Sequence, residues 1–218
     1  ALGLGTVTVF SQIPAFAAEE TSDNTAAAAQ QVQTADPSVV ATNGIEGWPQ
    51  ASDISSTAAI VMETSTNTVL YSKNADQALY PASAVKVMTC LLALDNSNPD
   101  DQVTMTATGV SGVTDGGANI SSQLDEVFTM EQCLYAIMVA SANDIALQVA
   151  EHVGGSVDAF VQTMNTRAQE LGCTNTVFTN PTGLPDENQH ITAHDMALIM
   201  EAAMANDTFR TIAATTSY

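Results

Sequence analysis

Pro81-Ala82-Ser83-Ala84-Val85-Lys86-Val87-Met88-Thr89 is the stretch on which the reading of this chain turns. After Tyr80-Pro81 the pattern becomes helical: Val87, Leu91 and Leu94 form one apolar stripe, and Met88, Cys90 and Leu92 widen it. Side chains three positions apart share a helix face, so the Ser83 hydroxyl and the Lys86 amine can meet. Pro81 belongs close to the helix start, where its missing N–H costs nothing. Ser83 then falls in the first turn, with its own backbone N–H free to help bind an oxyanion. Lys86 stands between Val85, Val87 and Met88, poor surroundings for a solvated ammonium, and burial favours the neutral amine. A neutral amine beside a serine is a general base next to a nucleophile. The same tetrad also fits a capping serine and a lysine whose stem lies on apolar surface with its head in water. The spacing alone leaves both readings open.

Composition bears on that choice. The 218 residues carry 24 acidic side chains and 4 basic ones, a formal net charge of −20. So acidic a chain has no electrostatic footprint for nucleic-acid phosphates and no basic stripe for an anionic membrane surface. The four cations are Lys73, Lys86, Arg167 and Arg210. Lys73 is expected at a solvated strand end, and Arg167 and Arg210 in structural roles, which leaves Lys86 as the lysine set into an apolar helix. Cys90, Cys133 and Cys173 are too few and too scattered for a disulfide scaffold and read as small apolar residues of helices and turns. His190 and His194 are four apart, but the expected helix cap Thr192 lies between them and no glutamate does, so they do not make a metalloprotease motif. His152 near a helix C-terminus is a favourable dipole partner. No metal and no cofactor is expected.

Outward from the tetrad, the chain divides into three. Ala1–Phe10 is apolar and is followed by Ala15-Phe16-Ala17, the pattern of a secretory signal peptide over residues 1–17 that lacks its basic start. Residues 18–47 are rich in Ala, Gln, Thr and acidic side chains and are expected to form a flexible linker. The folded body is expected over 48–218, beginning near Gly47-Trp48-Pro49. Ala58–Glu63 and Thr68–Ser72 predict a β-hairpin around Thr64-Ser65-Thr66-Asn67. Beyond the helix break at Asn96–Asp101, Gln102–Met105 reads as strand. Thr129-x-x-Gln132 is a capping-box helix start, Ser156 caps a helix ended by Gly172, and Thr192-x-x-Asp195 starts a last helix. The class is α+β: an antiparallel sheet packed against helices, with a mostly helical part. Two strands alone are marginal, so further sheet strands are expected to be missing.

Ser141-Ala142-Asn143 is a polar interruption between two apolar helical stretches. It reads either as a helix break, with Ser141 or Asn143 capping the second stretch, or as a hydroxyl and a carboxamide presented to a cleft. Coming after Ser83-x-x-Lys86 in the chain, it resembles the second motif of the penicillin-recognising serine peptidases, specifically the low-molecular-weight D-alanyl-D-alanine carboxypeptidases. The segments Met164-Asn165, Leu171-Gly172 and Thr176-Val177-Phe178-Thr179-Asn180-Pro181-Thr182-Gly183-Leu184 add to the resemblance, which runs from about Trp48 to the end. It implies a β-lactamase/DD-peptidase-like fold and an acyl-enzyme mechanism. Ser83 would attack the penultimate D-alanine carbonyl of a peptidoglycan stem peptide, Lys86 would take its proton, Ser141 would relay it, and Asn143 would hold the substrate amide. β-Lactams would acylate Ser83 in the same geometry. The implied partners are stem peptides ending in D-Ala-D-Ala and β-lactam antibiotics, and the implied place is the cell envelope. The family's third motif, Lys-Thr-Gly, has no counterpart here, because no lysine comes after Lys86. The sequence is therefore expected to be a fragment truncated at both ends. Two other readings are a class A-type β-lactamase, which would need a Glu-x-x-Leu-Asn segment that is not found, and a non-catalytic secreted binding or sensor domain.

Overall fold

The computed structural model describes residues 40–48, 50–52, 54–112 and 117–218. The expected signal segment and residues 18–39 of the expected linker lie outside the described residues. Packing begins earlier than Gly47: Val40 is buried, and the Ala41 N–H donates to the Ser72 carbonyl at 2.7 Å.

Two short antiparallel pairs make up the strands. β1 (Ala59–Glu63) pairs with β2 (Thr68–Lys73) as expected, with a bulge between Val61 and Met62. The Glu63 carboxylate ties the turn by accepting from the N–H and hydroxyl groups of Ser65 and Thr66. Asn67 takes the left-handed conformation that asparagine tolerates. β3 (Gln102–Thr104) pairs with β4 (Val127–Thr129), a strand too short to announce itself in the sequence. Lys73 corrects its expectation. Along β2 it points the same way as buried Tyr71, it is 6% exposed, and its Nζ donates to the Ile54 carbonyl at 2.6 Å.

The helices are α1 (Lys86–Asn96), α2 (Ala107–Ser111), α3 (Met130–Val139), α4 (Asn143–Gly154), α5 (Val157–Glu170), α6 (Ala193–Met204) and α7 (Asp207–Ala213). Their starts follow the sequence rules. Thr129 and Gln132 form a reciprocal capping box on α3, Ser156 accepts from the Ala159 N–H on α5, and Thr192 accepts from the Asp195 N–H on α6. Gly155, left-handed, ends α4. The last described helix is α7, not α6: Asn206 stops one helix and caps the next by accepting from the N–H groups of Thr208 and Phe209. Ser141 and Asn143 cap nothing. The N-cap of α4 is Ala142, which makes no side-chain cap bond.

α1 is the axis of the molecule. Every residue from Lys86 to Ala93 is buried, and α3, α4, α5, α6 and α7 all pack around it. Phe160, Met164, Phe178 and Phe209 fill the space between these helices. β1 covers the other side of α6 through Ile60, Met62 and Ala197.

Buried carboxylates hold the connections. Asp144, 3% exposed, accepts from the backbone N–H groups of Ile120 and Ser122 and from the Ser122 hydroxyl, pinning that loop to the start of α4. Asp195, 1% exposed, accepts from the N–H groups of Thr174 and Asn175 and from the Thr176 hydroxyl. The arginines face carboxylates at the surface, Arg167 against Asp95 and Glu170 and Arg210 against Asp207. Removing a buried acceptor strands its donors, whereas an exposed ion pair contributes little. Asp195→Ala is therefore expected to cost about 3 kcal/mol in urea unfolding, and Glu170→Ala less than about 0.5 kcal/mol. Equal losses from the two would show that the loop does not hang on Asp195.

Candidate active site

The chain reaches the nucleophile segment from a fixed point. Leu79 and Ile191 exchange two backbone hydrogen bonds of 2.9 Å, so residue 79 is anchored four positions before Ser83. Pro81 then leads into a 3₁₀ turn, Ala82–Val85, which runs straight into α1. Ser83 thus sits in the turn before the helix rather than in its first α-helical turn. In a 3₁₀ turn, side chains three apart eclipse each other, a closer alignment than an α-helix gives. Ala82 has φ +47°, a left-handed conformation that costs a residue with a Cβ about 1 kcal/mol. Ser83 is exposed while Val85 and Lys86 are buried.

Lys86 is 2% exposed, so its amine does not reach water along the helix surface. Its Nζ donates to the Thr182 carbonyl at 2.6 Å and lies 3.4 Å from the Ser83 hydroxyl oxygen. Burial pulls its pKa down from 10.5 to about 8, opposed by the neighbouring Cys90 thiol. The same burial makes Lys86 a poor ammonium and a usable base near neutral pH.

Ser141 arrives from the turn between α3 and α4. Its φ is +55°, and this left-handed residue turns its hydroxyl to donate to the Ser83 Oγ at 3.2 Å. Asn143 opens α4, buried at 4% exposure, with its backbone N–H donating to the Ala118 carbonyl at 2.8 Å. Its Oδ1 is buried without a protein partner. A Cβ at Gly117 would come within 2.5 Å of the Asn143 Nδ2 and would push that carboxamide aside. Three of the four expected residues meet through hydrogen-bond contacts, Ser83 between the Lys86 amine and the Ser141 hydroxyl, and Asn143 lies two positions after Ser141 at the start of α4. His190 and His194 do not join them: His190 contacts the Asn188 carbonyl and His194 contacts Asp76 at 2.7 Å.

The loop Asn180–Leu184, part of the segment that adds to the resemblance, lies against the nucleophile turn. Gly183 has φ +83°, and a Cβ there would collide with the Ala82 carbonyl, so glycine is required for the loop to lie against the nucleophile turn. The Gly183 carbonyl accepts from the Tyr80 hydroxyl at 2.9 Å.

Comparison with known proteins shows the family and the fold. Residues 46–218 match the family profile of D-alanyl-D-alanine carboxypeptidase, peptidase S11. The chain belongs to this family. It is 40% identical over 146 residues to the D-alanyl-D-alanine carboxypeptidase DacF of Bacillus subtilis, covering 65% of this chain and 37% of that relative. Among solved structures, a mutant of the Streptomyces K15 DD-transpeptidase superposes with a TM-score of 0.74 at 30% identity, over 77% of this chain and 68% of the other. The D-alanyl-D-alanine carboxypeptidase of Mycobacterium tuberculosis superposes with a TM-score of 0.73 at 31% identity, over 79% of this chain and 65% of the other. The fold is accordingly the DD-peptidase fold, α+β with small antiparallel sheets. No helix among the described residues is long and apolar enough to cross a membrane.

The lowered lysine pKa has a consequence for stability. Between about pH 8 and 10.5 the unfolded chain holds a proton on Lys86 that the folded chain has released, so this residue makes stability rise with pH across that window. The thiols of buried Cys133 and half-buried Cys173, raised from 9.0 to about 12, act in the opposite sense above pH 9 but are shared by any Lys86 variant. The stability of the wild type relative to Lys86→Met, from urea melts at a series of pH values, is therefore expected to climb from pH 8 to 10.5. A flat difference would mean that the amine titrates in the fold as it does in water.

Proposed function

We propose that this chain carries the acylating machinery of a serine-type D-Ala-D-Ala carboxypeptidase acting on peptidoglycan stem peptides at the cell envelope. The observation that carries this reading is the placement of Ser83 Oγ within 3.4 Å of a buried lysine amine and 3.2 Å of the Ser141 hydroxyl. Ser83 Oγ attacks the carbonyl of the penultimate D-alanine, and its proton passes to the Lys86 amine. The tetrahedral oxyanion is met by the backbone N–H of Ser83 at the start of the turn. Lys86 and Ser141 deliver the proton to the nitrogen of the departing D-alanine, which leaves an ester on Ser83. Asn143 supplies a carboxamide for the backbone amide of the substrate. Water then hydrolyses the ester, with Lys86 accepting the water proton. A penicillin enters the same cycle through its lactam carbonyl, but its leaving nitrogen stays tethered, so it remains on the serine.

At pH 7 a lysine of pKa about 8 is neutral in about one molecule in ten, so acylation is expected to rise with pH through 8. The test is fluorescent-penicillin labelling of the wild type, Ser83→Ala and Lys86→Ala. Labelling is expected to vanish in Ser83→Ala and to slow by about 10²–10⁴-fold in Lys86→Ala. Equal labelling of wild type and Ser83→Ala would remove Ser83 as the nucleophile. Rapid release of the bound drug would turn the assignment towards a β-lactamase.

A further inference from the structure

Three successive carbonyls of one loop receive three side chains of the nucleophile segment. Pro181 O accepts from the Thr89 hydroxyl at 2.7 Å, Thr182 O from the Lys86 amine at 2.6 Å, and Gly183 O from the Tyr80 hydroxyl at 2.9 Å. A trans peptide is planar, with its N–H pointing away from its C=O. The orientation of a carbonyl is therefore set as much by what holds the N–H of the same plane as by its own partner. The plane carrying the Thr182 carbonyl carries the Gly183 N–H, which donates to Asn180 Oδ1 at 2.8 Å. The plane carrying the Pro181 carbonyl carries the Thr182 N–H, which donates to the same Oδ1 at 3.1 Å. That oxygen also accepts from the Thr182 hydroxyl at 2.8 Å, and the Asn180 Nδ2 donates to the Leu184 carbonyl at 3.0 Å. Behind it, buried Gln189 accepts from the Asn180 N–H at 3.2 Å. One carboxamide thus grips the far edge of both peptide planes whose near edges hold Lys86 and Thr89.

We propose that Asn180 is a positioning residue for the site's base: by fixing the Thr182–Gly183 peptide plane it sets where the Lys86 amine stands relative to the Ser83 hydroxyl. Asn180 does not reach the reacting atoms; it acts through the Thr182 carbonyl. A carbonyl whose plane is held by an acceptor on its N–H is also a stronger acceptor itself, since linked hydrogen bonds polarise one another. The importance given to Lys86 rests on the proposed function, but its hydrogen bonding can be read without any reaction.

The chain has only two lysines, Lys73 and Lys86, so protein labelled with ¹³C-lysine gives two ε-methylene signals, and Lys86→Arg assigns them. The measurement is the pH titration of the Lys86 signal in wild type, Asn180→Ala and Asn180→Asp, beside a thermal melt of each. In Asn180→Ala the Thr182 carbonyl is released, the ammonium loses its acceptor, and the midpoint is expected to fall by about half a pH unit or more. Asn180→Asp keeps the acceptor and adds a negative charge, so its midpoint is expected to rise. A residue that only stabilises the loop would lower both melting temperatures and leave both midpoints at the wild-type value, and that result overturns the proposal. If Asn180→Ala fails to fold, the midpoint of Asn180→Asp decides alone. A wild type that penicillin does not label would sink the catalytic reading and leave the titration result standing.

Discussion

Burying one lysine amine at the head of the central helix is the constraint to which the rest of this structure answers. An amine removed from water loses its hydration, and the loss is tolerable only where a protein acceptor replaces it. Here the replacement is the Thr182 carbonyl, 96 positions further along the chain. To bring it there the loop must lie flat on the nucleophile turn, which requires a glycine at 183 and a side-chain donor for each inward-facing carbonyl. The helices packed around α1 keep water from the stem of the side chain. Open the packing to water and Lys86 becomes an ordinary ammonium; remove the carbonyl alone and the buried amine favours its neutral form still more.

The hydroxyls on either side of the reaction are set by a different device. Ala82 and Ser141 are both left-handed residues with a Cβ, one just before Ser83 and the other bearing the neighbouring hydroxyl. Each departs from a comfortable backbone at the end of a well-packed helix or turn, and strain of this kind persists only where the surroundings over-determine it. The burial of α1 on one side and the Asp144 network at the start of α4 on the other supply that determination. Ser83 and Ser141, 58 positions apart, can then hold 3.2 Å between oxygens without a covalent link between their elements.

Much of this was legible in the residues. The Ser83-x-x-Lys86 spacing, the capping box at Thr129, the Ser156 and Thr192 caps and the first hairpin all rest on local rules, and local rules are what a sequence displays. The failures have physical causes too. Lys73 looked solvated because nothing near it in sequence reveals that the Ile54 carbonyl comes to meet its amine. Ser141-Ala142-Asn143 left two readings open, cap or cleft, because such side chains commonly serve backbone N–H groups; here the Ser141 hydroxyl answers Ser83. β4 is three residues long and owes its existence to pairing with β3, a long-range partner that periodicity cannot show. The loop at 180–184 joined the site through its carbonyls, atoms that every residue has and no residue type advertises.

The four cations end in places that leave the exterior to the acids. Both lysines are buried, and both arginines already face carboxylates. A body with a net charge of −20 and so few cations to set against it is, to its surroundings, a small polyelectrolyte. Its like charges push against compactness, and dissolved cations gathered within about 10 Å at 0.1 M salt relieve that pressure. The ionic atmosphere is then a structural component of the molecule in the sense that its own ion pairs are not, and salt, which weakens most surface electrostatics, holds this one together.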